Sequence, residues 1–277
     1  KLGLNLIIKD YKEIDGVKIF HENVDENHDD YNSKGLDNLY VQEEKHFWFL
    51  ARKNFILQNF KKYIDRNSKI IEIGAGTGNV SRNLQQNGYE NISVGEMHLN
   101  GLKYAKSYGM KDCYQFDLLD TPFENEFDVV CMFDVLEHIP NDNEALKNVN
   151  KMLNGGGKIV LTVPSHMWLW NRDDAIAGHK IRYTKKELIE KLENSGFEII
   201  TARYFFMAIT PLLFLRRVLN KDDGSKVREE EYSNDISINP TLSKILLFIS
   251  NIENKINRFL PNLFGGSLFI IARKKNK

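Results

Sequence analysis

Residues 69–79 read KIIEIGAGTGN, a short apolar run that passes into a glycine loop and then into residues suited to open a helix. Gly74, Gly76 and Gly78 carry no Cβ and tolerate positive φ, so the backbone can turn sharply and touch a ligand directly. Such a strand–loop–helix junction is where an adenosine-bearing cofactor meets main chain. Two common versions are disfavoured by spacing. The dinucleotide fingerprint G-x-G-x-x-G needs a third glycine where Asn79 stands, and a P-loop needs a Gly-Lys-Ser/Thr ending that is absent.

Working outward, Glu72 lies two residues before the first glycine. The next apolar run, NISVGEM (91–97), ends in Glu96, about 20 residues past the loop, where a carboxylate can hold a ribose diol. YQFD (114–117), FDVVCMFDVLEH (127–138) and GGGKIVLTVP (155–164) follow as further strand-like runs with polar or turn-forming tips. Strands alternating with helical stretches make an open α/β sheet, and ligands collect at the carboxyl ends of such strands. Thr184-Lys-Lys-Glu187 is a capping box that opens a helix ending at Gly196, so a sixth strand begins at Phe197. SLFIIARKK (267–275), apolar and β-branched after Gly265-Gly266, is the last strand.

Composition narrows the function. The chain has 277 residues, 42% of them hydrophobic, enough for one sizeable core with elaborations. Lys plus Arg and Asp plus Glu each total 38, so no net field draws nucleic acid. Cys113 and Cys131 are too few for a disulfide framework and lack zinc spacing; they read as reduced, buried thiols. The opening KLGLNLIIKD lacks a long apolar leader segment and a cleavage site, which points to a cytoplasmic enzyme. The longest apolar run, 204–215, is broken by Pro211 and followed by Arg216 and Arg217, well short of the ~20 residues a bilayer span needs. Peripheral membrane contact and a homodimer both stay open.

In this order and spacing the segments resemble the class I S-adenosylmethionine-dependent methyltransferases over roughly residues 46–277, including quinone-biosynthesis and glycan or natural-product types. That resemblance implies a Rossmann-like seven-stranded sheet with an antiparallel last strand. It implies S-adenosylmethionine as cofactor and methyl transfer to a small-molecule acceptor, oxygen before nitrogen or carbon. Residue by residue, Glu72 matches the acid at the methionine end, and Gly74, Ala75, Gly76 and Gly78 the backbone beside the methionyl and ribose parts. Glu96, with Met97 beside it, matches the ribose-binding acid. Asp117 matches the adenine position, flanked by Phe116 and Leu118, while Phe133 and Asp134 begin the loop near the methyl. A helix over 43–60 carries His46, Phe47, Trp48, Phe49 and Arg52. Phe47 and Arg52 are expected at the cofactor, Arg52 pairing its carboxylate, and Trp48 at the acceptor. An aromatic face near a sulfonium contributes ~0.5–2 kcal/mol.

Methyl transfer asks mainly for positioning, and a base where the acceptor must lose a proton. The candidates are His138, directly after the fourth strand and also beside the cofactor, and His179 in GHKIRY (178–183). His166, Lys180, Arg182 and Tyr183 are expected to contact the acceptor, the two cations suiting a carboxylate or phosphate. Asp134-x-x-Glu137-His138 resembles a metal-dependent subset of quinone-biosynthesis O-methyltransferases whose first position is usually Glu; capping hydrogen bonds before Pro140 are the favoured reading, and no metal is expected.

Residues 1–42, acidic in HENVDENHDDYNSKG (21–35), form an N-terminal extension with a hairpin near Asp15-Gly16, and 43–277 the catalytic domain. An insert at about 208–262 joins an apolar helix to a charged segment, KDDGSKVREEEYSND (221–235), expected to be its most mobile part. A second helix sets Leu242, Ile245, Ile249, Ile252, Ile256 and Phe259 on one face. This insert reads as a lid or cap above the fourth and fifth strands; packing against the sheet or a dimer partner is the alternative. Two rival functions are an NAD-dependent oxidoreductase, disfavoured by Asn79 and the lack of a Tyr-x-x-x-Lys signature, and a catalytically silent binding module.

Overall fold

A computed structural model of the chain describes residues 9–21, 34–225 and 238–275. The chain enters through the expected hairpin, β1 (Lys12–Ile14) and β2 (Val17–Ile19). Asp15 and Gly16 turn it, both at positive φ (53° and 73°), the conformation a tight two-residue loop demands. There follow α1 (Lys34–Gln42), α2 (Phe47–Tyr63), β3 (Ile70–Ile73), α3 (Asn79–Gln86), β4 (Ile92–Glu96), α4 (Leu99–Ser107), β5 (Cys113–Gln115), β6 (Phe127–Phe133) and α5 (Asp142–Met152). The second half runs β7 (Leu153–Pro164), α6 (Arg172–Ile176), α7 (Lys185–Asn194), β8 (Phe197–Phe205), α8 (Thr210–Leu219), α9 (Pro240–Ile256) and β9 (Ser267–Lys274).

All strands join one sheet in the order β1-β2-β5-β4-β3-β6-β7-β9-β8. The strands from β5 to β7 are parallel, and β9 inserts antiparallel between β7 and β8. The seven strands expected are all present, and the hairpin adds two more by pairing β2 with β5 in parallel. Chain order reverses between β3, which leads outward through β4 to β5, and β6, which returns to its other side. A crevice at the carboxyl ends of β3 and β6 is the outcome of that reversal.

Alternation across the sheet decides which side chains face which helices. Ile70 packs with Val129, Cys131 and Phe133 against Ala51, Phe55 and Phe60 of α2. Ile71, Ile73, Val130 and Met132 face the opposite layer, with Leu146 of α5 and Leu188 of α7. Glu72 therefore points to the α2 and α3 side, an acid inside an apolar layer. Cys113 and Cys131 are buried free thiols, as read from the sequence.

The first catalytic-domain helix begins later than its apolar spacing predicts. Residues 43–46 form a turn because their side chains are used otherwise. Glu43 is buried and accepts hydrogen bonds from the Thr77 hydroxyl (2.6 Å) and the Tyr108 hydroxyl (3.2 Å). His46 caps α2 by accepting from the Trp48 N–H (3.2 Å). Both helices of the insert form. α9 lies along α2, with the Asn254 amide donating to the Ala51 carbonyl (3.1 Å) and the Phe47 N–H to Ser243 Oγ (3.1 Å). α8 sits beside the turn at Met167–Leu169, where Trp168 and Phe214 meet at 6.0 Å. Most of the charged segment expected to be mobile, residues 226–235, lies outside the described residues. No helix among the described residues is long and apolar enough to cross a membrane.

Candidate active site

At the end of β3, Gly74, Gly76 and Gly78 all adopt left-handed φ (62°, 54° and 79°), and Gly78 caps α3. A Cβ on Gly74 would stand 2.5 Å from Val135, and one on Gly78 would stand 2.9 Å from Ala105. The loop thus needs glycine for conformation and for close approach. A Cβ on Gly76 would meet only Leu36 and Leu39 of α1, at 3.5 Å, so the N-terminal extension covers the loop.

Glu96, at the tip of β4, braces this loop. Its carboxylate accepts from the N–H groups of Gly76 (2.8 Å), Met97 (2.8 Å) and His98 (3.1 Å). A carboxylate offers about four acceptor sites, so capacity for a ribose hydroxyl is left. Asp117 is half-buried at the tip of β5 and accepts from the Leu119 N–H (2.8 Å). Phe116 and Leu118, expected to flank an adenine, are instead buried in the layer with α5. Phe116 fills the space that a side chain at Gly95 would take, because alternation along the strand turns it beneath the sheet.

Behind the glycine loop, Glu72 is buried and accepts from the Ser81 hydroxyl. Burial pushes its carboxyl up to about 7, against the pull of Ser81 and Arg52. Arg52 reaches from α2 between the Trp48 ring, 4.5 Å from its centroid, and the carboxylate of Asp134. Asp134 itself has a strained φ of 58°. Arg52 Nε and Asp134 Oδ1 are buried without partners in the described structure. Two unspent polar atoms, a protonatable acid and a glycine cradle together fit the amino and carboxylate groups of an amino-acid ligand. Phe47 and Phe133, expected here, point away: Phe47 packs beneath α2, and Phe133 lies 6.4 Å from Phe60 in the core.

Glu72 makes a pH prediction. Its folded value is raised above the ordinary 4.5, so its contribution to stability is complete below about pH 4.5 and lost as pH rises through about 7. Glu72→Gln should therefore stabilise the ligand-free protein at pH 8 by up to about 3 kcal/mol and flatten its pH dependence between those values. The same change should weaken cofactor binding. Urea unfolding at pH 5 and pH 8 checks the first part; equal destabilisation at both values would mean that the carboxylate is paired rather than stranded.

Beyond β6 the chain builds a second cluster. His138 closes the turn after Glu137, and His179 approaches it from the loop after α6, the rings 4.8 Å apart. Asp174 organises His179. It belongs to a capping box with Asn171, is buried, lies 2.8 Å from His179 Nδ1 and accepts from Arg182 Nε (2.8 Å). Burial opposes ionisation of Asp174, but the hydrogen bond with His179 and the Arg182 guanidinium outweigh it and hold the carboxyl below its ordinary value. Glu137 is fully buried; burial first, then Asp134, push its carboxyl well above the usual range. Its backbone oxygen accepts from the Lys180 N–H (2.8 Å), tying the two loops together.

Three sequence expectations change here. Tyr183 is fully buried and donates to Asp142 (2.8 Å), so it props the turn rather than touching an acceptor. Arg182 is committed to Asp174 instead of standing as an open anion clamp. Asp134 pairs with Arg52, so the donor atoms that come within 4.8 Å of one another belong to Glu137, His138 and His179, not to Asp134, Glu137 and His138. Asp174 was not singled out from the sequence; its signal is the acid five residues before His179 and eight before Arg182. His166, at φ 62°, stacks on Tyr204 (4.8 Å) with its Nε2 buried and unpartnered, and Lys180 is exposed at the rim.

The profile of a family described as "Methyltransferase domain" matches residues 46–202. The chain is 25% identical over 167 residues to the ubiquinone biosynthesis O-methyltransferase of Rickettsia bellii, covering 53% of this chain and 70% of that one. It is 31% identical over 116 residues to the chloroplastic tocopherol O-methyltransferase of Arabidopsis thaliana, covering 39% and 33%. Among solved structures, phosphoethanolamine N-methyltransferase 2 of Haemonchus contortus, in complex with S-adenosyl-L-methionine, superposes with a TM-score of 0.54 at 17% identity, covering 81% and 52%.

Proposed function

Since the chain belongs to the methyltransferase domain family and is an S-adenosylmethionine-dependent methyltransferase, we propose that it methylates a hydroxyl oxygen of a small molecule, a phenol in the simplest case. One observation carries the choice of oxygen: His179 is held at Nδ1 by Asp174 and set beside His138, which is the arrangement a base needs. A hydroxyl has a proton to give up; an amine can attack with its lone pair. Two relatives that the chain resembles carry O-methyltransferase names, which supports the same reading.

Glu72, Arg52, the Gly74–Gly78 backbone, Glu96 and Asp117 would hold the cofactor, with residues 43–277 as the catalytic unit. When bound, S-adenosylmethionine supplies an electrophilic methyl on a sulfonium whose leaving group departs neutral. With Nδ1–H donated to the Asp174 carboxylate, His179 presents its Nε2 lone pair and can take the acceptor proton there. Asp174 then stabilises the imidazolium, and Arg182 keeps Asp174 ionised. Trp48 and His166 border the acceptor space, and α8 and α9 serve as its cap.

Incubation with methyl-labelled S-adenosylmethionine and a panel of catechols, phenols, amines and carboxylic acids, with and without a chelator, tests the reading. Label in a phenolic methyl ether, undiminished by chelation, is expected. Label confined to amines would remove the oxygen assignment, and loss of turnover with chelator would turn Glu137, His138 and His179 into ligands.

A further inference from the structure

α9 is built inside out. The face it turns to the protein carries Ser243, Ser250, Glu253 and Asn254 beside a single leucine, Leu246, all buried, with Ser250 1% exposed, and the buried Asn257 follows in the next turn. Those polar groups are largely spent on backbone: Glu253 accepts from the Met207 and Ala208 N–H groups (2.9 and 2.8 Å), and Asn257 donates to the Tyr204 carbonyl (2.9 Å). The outward face carries Leu242, Ile245, Phe248, Ile249, Ile252 and Ile256, with Ile245 51% and Phe248 66% exposed. A helix at a water surface shows the opposite pattern. α8 continues the surface with exposed Leu212, Leu215, Val218 and Leu219, and Trp168 stands beside its Phe214. Beside the outward face of α9 lies a groove of about 410 Å³ lined by Met207, Ala208, Ile249, Ile252, Glu253, Ile256 and Leu260.

We propose that α8 and α9 form a platform that seats the protein on an anionic phospholipid bilayer, the helices lying in the interface without crossing it. Charge selects this occupant. Across α8, α9 and the turn that follows at 257–259, the ionisable residues are Arg216, Arg217, Lys244, Lys255, Arg258 and Glu253, and the single acid is buried. Only Arg216 has an acidic partner, Asp173, among the described residues. An apolar face fringed by cations and bordered by tryptophan matches a bilayer with anionic headgroups. A second copy of the chain would set this cationic fringe against itself. The segment joining the helices, residues 220–239, offers Val227, Tyr232, Ile236 and Ile238 as its apolar side chains, too few to cover such a surface. At 17 residues α9 is too short to span the hydrocarbon core, for which ~20 are needed.

Flotation of the full chain with vesicles of phosphatidylcholine alone, and with equal parts phosphatidylcholine and phosphatidylglycerol, tests the proposal. Binding to the anionic vesicles is expected to exceed binding to the neutral ones by ~10-fold or more. Ile245→Ser with Phe248→Ser should weaken vesicle binding ~10-fold or more, since both side chains are exposed and their loss leaves no cavity. Lys244→Glu with Lys255→Glu should erase the preference for anionic lipid. All these variants should keep the wild-type unfolding midpoint and affinity for S-adenosylhomocysteine. The comparison of the two vesicle types uses the wild-type chain and so holds even if a variant misfolds. Wild-type protein that stays out of both vesicle fractions overturns the proposal, as does a lipid-free dimer, seen in sedimentation velocity, that the serine pair dissociates. These readings are independent of which acceptor is methylated.

Discussion

Replacing Gly76 with valine is expected to lower affinity for S-adenosylhomocysteine by ~100-fold or more, about 3 kcal/mol, while the protein stays folded. Gly76 is the cleanest of the three loop glycines for this purpose. A side chain on Gly74 would strike Val135 at 2.5 Å and one on Gly78 would strike Ala105 at 2.9 Å, so those substitutions disturb packing as well. At Gly76 the nearest protein atoms are the Leu36 and Leu39 side-chain ends, 3.5 Å away, and they can give. What cannot give is the backbone: at φ 54° a branched residue costs ~1–2 kcal/mol and shifts the N–H that Glu96 accepts. Calorimetric titration measures the affinity and thermal unfolding the strain. Gly155→Ala, where no atom lies within 4 Å of the added methyl, is the control and should change neither. Undiminished affinity in Gly76→Val would mean that the ligand does not lie against this loop.

The sheet was legible because its evidence is local and periodic. Alternation, a capping box at Thr184 and an Asp15-Gly16 turn are each written in a few adjacent residues, and each stands where the sequence put it. The acidic tips Glu72, Glu96 and Asp117 follow from strand ends for the same reason. What periodicity omits is direction. The α9 stripe was visible as a stripe, yet nothing in its spacing says that Ser243 and Asn254 would be drawn inward by the α2 backbone and the isoleucines turned out. Pairings between distant segments were equally hidden. Arg52 with Asp134 spans 82 residues, and Glu43 with Thr77 spans 34, so each partner alone looks like an ordinary surface charge or helix end. Phe116 and Tyr183 were misjudged because a residue next to a functional one along a strand or loop points to the other side.

His179→Ala is expected to lower kcat by ~100-fold or more without altering cofactor affinity, and the supporting contacts say how the loss should divide. If Asp174 holds Nδ1–H, the catalytic atom is Nε2, which faces the gap shared with Glu137 (3.8 Å) and the His138 ring. Asp174→Asn keeps the shape but removes the charge, and an amide turned to donate at Nδ1 would drive the proton onto Nε2. That variant should lose ~10- to 100-fold in kcat with little change in KM, and the acidic limb of its pH profile should move to lower pH, because the imidazolium formed on proton transfer is no longer compensated. Arg182→Met should produce a milder version of the same pH change by letting Asp174 protonate more readily. A structural role for Asp174 would instead lower stability and leave the pH profile in place, which unfolding curves measured beside the kinetics would reveal. His138→Ala completes the set: a loss confined to that variant, with His179→Ala at wild-type turnover, would move the base to His138 and reduce His179 to its neighbour.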